Sequence, residues 1–313
     1  MVLAPHHDAL TQPGPRPCHE PVFLLAPARS YSSITLALLA GHPDIYGFPE
    51  MLLFTADTVG ELLRETPPAA SRRTRQLSNF KRSGILRAVA DLREGSQAGP
   101  AVRRAQDWLV QQSSCSPVQL MDCLLSLAYP QIGLEKSPET IASTAALDAC
   151  VKSYPRARYL HLTRHPVSTQ NSMRNHWHYL YPNEKFLVVK AASSWYLGHL
   201  RIVRKLSQLP SQQQMRVRAE DVLREPVVWL PKLLDWLGLR SDNEVIAEMI
   251  HTENWQFANN GPSGDLYGVD AGFINSPALR PIPEPGPVVF DPAWGLPYEM
   301  SNRMTKLARY LGY

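Results

Sequence analysis

The stretch Pro21-Val22-Phe23-Leu24-Leu25-Ala26-Pro27-Ala28-Arg29-Ser30-Tyr31-Ser32-Ser33, continuing through Ile34 to Ala40 and closing at Gly41-His42-Pro43, decides the fold of this 313-residue chain. Its opening is a short apolar run bounded by prolines, the pattern of a strand buried on both faces of a parallel sheet. Ile34 to Ala40 reads as an apolar helix. Between the two lies a loop with one cation and several small hydroxyls. Strand, short polar loop and helix together present backbone N–H groups to an anion at the helix N-terminus. The loop lacks GxxxxGK[ST], so it is not a Walker loop and shares only its frame. Ser32 or Ser33 would also serve simply as a helix cap.

A second strand–loop–helix unit follows the same plan. Arg158 to Thr163 reads as a strand, Arg164-His165-Pro166 as its exit, and Pro166 opens a helix at the position where a missing N–H costs nothing. Ser172 stands eight residues after Arg164. An arginine at a strand's carboxyl end and a serine two turns into the next helix can grip one phosphate from two sides, at the edge where open α/β sheets bind ligands. Elsewhere the spacing predicts helices within 58–130, over 139–154, 184–209 and 227–237, and at 297–311, with a further strand at 215–218. The fold class is therefore α/β, a central parallel sheet flanked by helices. Proline-dotted residues 1–20 read as a flexible leader and 21–313 as a single domain. Within it, 58–130 forms a helical insert and 258–296 a proline-rich loop or flap, with seven prolines between Asn275 and Pro297.

Charge adds a constraint. Thirty-two basic against 28 acidic residues leave a net charge of +4, too mild for a protein that coats nucleic acid but suited to a small anionic ligand. From Arg72 to Arg87 there are six basic residues (Arg72, Arg73, Arg75, Lys81, Arg82, Arg87) and no acidic one; they form either a solvated helix face or a dock for an acidic partner. The four cysteines, Cys18, Cys115, Cys123 and Cys150, show no metal-finger spacing, which argues against structural zinc and for a reducing, cytoplasmic setting. No apolar run approaches the roughly 20 residues of a membrane span, and the first residues lack a signal-peptide layout.

With these residues in place the sequence resembles the sulfotransferases that use 3′-phosphoadenosine 5′-phosphosulfate (PAPS). Arg29-Ser30-Tyr31-Ser32-Ser33 is similar to their phosphosulfate loop, [KR]-S-G-[ST]-T. Arg164-His165-Pro166 with Ser172 is similar to their 3′-phosphate motif. Gly41-His42-Pro43-Asp44-Ile45 with Phe48-Pro49-Glu50 looks like the segment after the loop in tyrosylprotein-type and bacterial members. Glu135-Lys136-Ser137-Pro138 resembles K-[ST]-P, and Arg218-Ala219-Glu220-Asp221-Val222 resembles R-Y-E-D-L, with alanine in place of tyrosine. The resemblance spans about residues 21 to 240. Tyr31 departs from the pattern at a position where glycine allows positive φ, so it either strains the loop or stacks near the nucleotide.

The resemblance implies a P-loop-like sulfotransferase fold. It implies sulfuryl transfer from PAPS to a hydroxyl, with adenosine 3′,5′-bisphosphate as product and without a metal. Arg29 and Lys136 would stabilise developing charge. Ser30, Tyr31, Ser32 and Ser33 would belong to the 5′-side of the cofactor site, and Arg164 and Ser172 to its 3′-phosphate. Pro138 stands where steroid and phenol sulfotransferases carry a histidine base, so Glu50, the glutamate after the first helix, takes that role by likeness to tyrosylprotein-type members. His42 and His165 belong to motif turns, His161 packs in the sheet, and His176 and His178 are candidates for the acceptor pocket. The insert around Gly84-Ile85-Leu86-Arg87-Ala88 looks like sulfotransferase domains of bacterial polyketide pathways, whose acceptor is a 3-hydroxyacyl chain on an acyl carrier protein; a free small-molecule hydroxyl remains the other acceptor class. Two further readings compete: a small-molecule kinase on a related fold, and a non-catalytic nucleotide-binding protein in which Tyr31 has closed the loop.

Overall fold

The computed structural model describes residues 20–64, 72–178, 181, 183–261 and 267–313, without the side chains of 72–81. The expected leader falls outside these residues except for Glu20. Strand β1 (Val22–Leu25) is buried along its whole length. Helix α1 (Ser32–Ala40) follows it, and Gly41 N–H closes the helix on the carbonyls of Ala37 and Leu38. Leu36, Leu38 and Leu39 are all at most 1 % exposed, which explains why this helix is apolar on every side.

Strand β2 (Ile45–Gly47) comes next, then the helical insert: α2 (Val59–Leu62), α3 (Arg72–Glu94), α4 (Gly99–Gln111) and α5 (Pro117–Ala128). α5 starts on a capping box, Ser116 and Gln119 bonding each other's backbone N–H, with proline at its first turn. Strand β3 (Ile132–Glu135) returns the chain to the sheet.

The single helix expected over 139–154 is instead a 3₁₀ turn, Pro138–Ile141, followed by α6 (Thr144–Ser153). The cause is local: the Ser143 hydroxyl accepts the Ala146 N–H at 3.1 Å and starts a new helix. β4 (Arg158–Thr163), α7 (Pro166–Trp177), α8 (Glu184–Leu206), β5 (Gln214–Arg218), α9 (Ala219–Arg224), α10 (Pro226–Leu237) and α11 (Asn243–Met249) continue the alternation. The stretch 258–296 includes one short helix, α12 (Ala271–Ile274), before the proline-rich run, and α13 (Tyr298–Tyr310) closes the fold.

The five strands lie in the order β2-β3-β1-β4-β5, all parallel. The expected central parallel sheet flanked by helices is the fold. Strands β2 and β3 were not legible in the sequence, because each is short and carries a glycine in place of the unbroken apolar run that marks the equally short β1. Chain order reverses at β1, which pairs with β3 on one side and β4 on the other, Leu25 lying opposite His161. The loops leaving β1 and β4 therefore emerge side by side, at a switch point of the kind where open α/β sheets bind ligands.

One residue of the basic stretch changes meaning. Arg87 has no exposed surface and spends its guanidinium on buried partners. It belongs neither to a solvated face nor to a docking surface, because the apolar neighbours of Gly84 to Ala88 carry this part of α3 into the core.

Candidate functional site

Two backbone devices aim the loop after β1. Arg29 and Tyr31 both adopt positive φ, 64° and 60°, a region that costs a side-chain-bearing residue of order 1–3 kcal/mol. Alternating Arg29 and Tyr31 with Ser30 in this way turns the loop tightly beneath the N-terminus of α1. Tyr31 does the work of the absent glycine, and its ring is put to use. The Arg164 guanidinium lies 3.7 Å from the centre of the Tyr31 ring, a cation–π contact in a partly desolvated place.

The loops after β1 and β4 are thereby joined. Arg164 donates from Nη1 to the Arg29 carbonyl at 2.6 Å, and Arg29 donates from Nε to Ser172 Oγ at 3.1 Å. The backbone of the second loop is held from both sides: Trp195 donates to the Arg164 carbonyl at 2.9 Å, and the His165 N–H donates to Glu220 Oε1 at 2.8 Å. Glu220 Oε2 accepts from the Tyr313 hydroxyl at 2.8 Å. His165 caps α7, its Nδ1 facing the Ser168 N–H at 3.4 Å, and His161 lies in the sheet against His199, Nε2 to Nδ1 2.9 Å. His42 accepts the Asp44 N–H at 3.0 Å and lies 3.1 Å from the Arg240 carbonyl. These contacts hold His42 and His165 in their motif turns and His161 in the sheet, as expected.

Arg29, Tyr31, Arg164, Ser172, His176 and Glu220 face one cleft of about 520 Å³, whose far wall is the proline-rich segment from Pro283 to Gly286. His178 is exposed and not among its lining residues.

Beside this open cleft is a closed cluster at the end of β3. Lys136, 3 % exposed, donates to Ser33 Oγ at 3.0 Å and to Glu50 Oε1 through an ion pair. Glu50 is 6 % exposed. Burial pushes its carboxyl up to about 7, against the pull of Lys136 and with the help of Glu139 and Asp270. Burial raises the neighbouring Glu135 to about 7 as well, although it accepts from the Ser137 hydroxyl. Ser137 in turn accepts the Leu52 N–H at 2.9 Å, tying the segment after Glu50 to β3.

The sequence-predicted residues therefore form two adjoining groups: Arg29, Tyr31, Arg164 and Ser172 on the cleft, and Ser33, Lys136 and Glu50 in the closed cluster. Ser32 is 5 % exposed in the first turn of α1. Ser30 is fully buried, and its Oγ, like Arg164 Nε, has no hydrogen-bond partner among the described residues. Asp270, at the start of α12, escaped the sequence reading. It forms an ion pair with Arg29; burial opposes ionisation of its carboxyl, but the Arg29 charge and hydrogen bond outweigh this and hold it below the usual carboxylate range. The only local signal was its helix-capping place before Ala271, for its side chain accepts the Phe273 N–H. Nothing in the sequence links it to Arg29, 241 residues away.

The sequence profile of the sulfotransferase family matches residues 21–243. Among solved structures, the sulfotransferase domain from the curacin biosynthetic pathway superposes with a TM-score of 0.70 at 20 % identity, covering 93 % of this chain and 98 % of that one. The sulfotransferase domain of the Synechococcus PCC 7002 olefin synthase gives 0.69 at 22 % identity, covering 96 % and 98 %. At such identities these likenesses speak for the fold. No curated protein sequence matches the chain. With the family profile running from β1 through β5, and the same fold shared along almost the whole chain, the protein belongs to the sulfotransferase family.

Proposed function

We propose that this sulfotransferase uses PAPS as sulfuryl donor and transfers the group to an alcohol, with Glu50 as general base. The observation that carries the reading is the meeting of Arg29, Arg164 and Ser172, from two adjacent strand ends, on one cleft. The donor set fits a doubly phosphorylated nucleotide: two guanidinium groups, serine hydroxyls, and two buried polar atoms, Ser30 Oγ and Arg164 Nε, without a hydrogen-bond partner among the described residues. Arg164 and Ser172 would hold the 3′-phosphate. The loop from Arg29 to Ser33, with the N-terminus of α1, would hold the 5′ side. Each charged hydrogen bond contributes roughly 1.5–3 kcal/mol. PAPS supplies the sulfuryl group and leaves as adenosine 3′,5′-bisphosphate.

The chain's own residues do the rest by position and charge, as in phosphoryl transfer. Lys136 occupies Glu50 Oε1, which leaves Glu50 Oε2 as the oxygen that would take the acceptor's proton. Glu50 takes the hydroxyl proton there as the acceptor oxygen bonds to sulfur and the bridging oxygen departs with the bisphosphate. Its raised pKa suits a base working near neutral pH. Lys136 and Arg29 stabilise the charge that grows on the sulfuryl and bridging oxygens, in a place with little water to screen them.

A hydroxyl on a carrier-bound acyl chain is the acceptor class favoured by the two structural relatives, which come from a curacin pathway and an olefin synthase. The free state of Cys115, Cys123 and Cys150 suits a reducing, cytoplasmic setting. No helix among the described residues is long and apolar enough to cross a membrane.

Thermal unfolding with added nucleotide tests the donor. Adenosine 3′,5′-bisphosphate at a hundredfold excess over its Kd should stabilise the protein by about 2.7 kcal/mol, and ATP with magnesium should do much less at equal concentration. The reverse order would remove PAPS as the donor and favour a kinase.

A further inference from the structure

The guanidinium of Arg87 is buried in the insert helix α3, remote in sequence from every residue of the cleft, yet its hydrogen bonds end beside the site. Its Nη1 donates to the carbonyls of Asn259 at 3.0 Å and Tyr267 at 2.7 Å, Nη2 to Asn259 Oδ1 at 3.0 Å, and Nε to Gln97 Oε1 at 2.8 Å. Gln97 passes the contact to Asp91 at 3.1 Å and to the Gln256 carbonyl at 3.1 Å. A planar fork is thus spent on both ends of the stretch between Asn259 and Tyr267, and a lone ammonium has no such reach.

Immediately after Tyr267 the chain touches the catalytic cluster twice. The Gly268 carbonyl accepts the Glu50 N–H at 2.7 Å, and Asp270 pairs with Arg29. The approach is so close that only glycines fit. A Cβ on Gly84 would stand 1.9 Å from the Glu50 carbonyl oxygen, and a Cβ on Gly268, where φ is +61°, would stand 2.5 Å from Gly84 Cα. Helix α3, the Glu50 peptide and the segment 267–270 are stacked backbone on backbone.

We propose that Arg87 is a positioning residue for the transfer site, acting through the segment 267–270, which it moors over Glu50 and Arg29. The proposal rests on the donor and base assignments above. Moored there, the segment keeps water from Glu50 and keeps the Asp270 carboxylate on Arg29, where it competes with an anionic ligand for the same guanidinium. The insert is then part of the frame of the transfer site.

The two consequences have opposite signs, which separates positioning from mere support. Arg87→Lys keeps the charge and the stem but loses the fork. Water returning to Glu50 makes it a weaker base, and kcat falls about tenfold. Release of Asp270 from Arg29 removes a competing negative charge, so adenosine 3′,5′-bisphosphate binds about threefold more tightly in calorimetry. The acid limb of the kcat profile moves to lower pH, because burial is what raises Glu50; the charges facing it are Glu135 at the end of β3, Lys136 just after it, Glu139 of the following turn, and Asp270. Asp270→Asn should reproduce the tighter binding, and the double variant should add nothing to it. Asn259→Ala, which removes one acceptor of the fork, should show smaller changes of the same sign. Unchanged kcat and affinity in Arg87→Lys, or both falling together with Tm, would overturn the proposal. A wild-type protein that transfers no sulfuryl group at all would instead fail the assignments on which it rests.

Discussion

The two halves of the site are built on opposite principles. At the ends of β1 and β4 the protein gathers cations around an open cleft: Arg29, Arg164 and, beside them, Ser172. At the end of β3 it gathers carboxylates around one lysine and closes them in: Glu50 and Glu135 beside Lys136, each at most 6 % exposed. The first arrangement makes the positive groups available and holds them by one backbone carbonyl, a serine hydroxyl, a tyrosine ring and one carboxylate, partners that a phosphate can supplement or replace. The second makes negative groups reluctant to ionise, since burial outweighs the lysine that favours their charge. Anion binding and proton transfer, the roles proposed for the two groups, need contrary environments, and the ends of neighbouring strands differ in that way within one fold.

That contrast is broken most directly at the closed end. Glu50→Gln should lose roughly 10²–10⁴ of kcat while binding adenosine 3′,5′-bisphosphate nearly as the wild type does. A variant with ordinary turnover would take Glu50 out of the base role, and one that also lost the nucleotide would show that the two halves are not separable. At the open end the loss should appear in binding. Arg164→Ala should weaken adenosine 3′,5′-bisphosphate by about 1.5–3 kcal/mol and plain adenosine monophosphate far less. Equal losses for both nucleotides in calorimetry would argue against a 3′-phosphate at Arg164.

The smallest effect belongs to the residue between the two loops. Tyr31→Gly relieves a left-handed residue worth roughly 1–2 kcal/mol and removes a cation–π contact worth roughly 0.5–2 kcal/mol. The two nearly cancel, so the unfolding free energy from denaturant titration should change by less than about 1 kcal/mol. Nucleotide affinity should fall less than in Arg164→Ala; a loss as large would mean that the ring itself grips the ligand.

Much of this was readable before any coordinates. Val22 to Leu25 announces itself as a buried strand because burial on both faces demands an unbroken apolar run; Arg158 to Thr163 lies between Pro155 and Pro166, with Tyr159, Leu160 and Leu162 as its apolar residues. Pro166, Gly41 and Gly238 mark helix ends through their own backbone chemistry. Arg29, Arg164 and Ser172 stood out because helix N-termini and strand exits are where anions are held, and Lys136 through the resemblance of Lys136-Ser137-Pro138 to K-[ST]-P. The structure departed from the reading where the decisive partner was distant or the segment short. Strands β2 and β3 gain their identity from neighbours, and Ser143 divided a helix whose apolar spacing looked continuous. Arg87, counted with a surface stretch by composition, is drawn inside by carbonyls more than 170 residues away.

The chain by itself determined which residues are candidates for chemistry and on which local frames they stand, because caps, turns and apolar periods act over a few residues. Only the tertiary structure decided that the loops of Arg29 and Arg164 lie side by side, that Glu50 and Lys136 are shut away from water, and that Asp270 and Arg87 belong to the same story. Strand order and burial are collective results of packing, and the electrostatic character of a side chain follows from them more than from its identity.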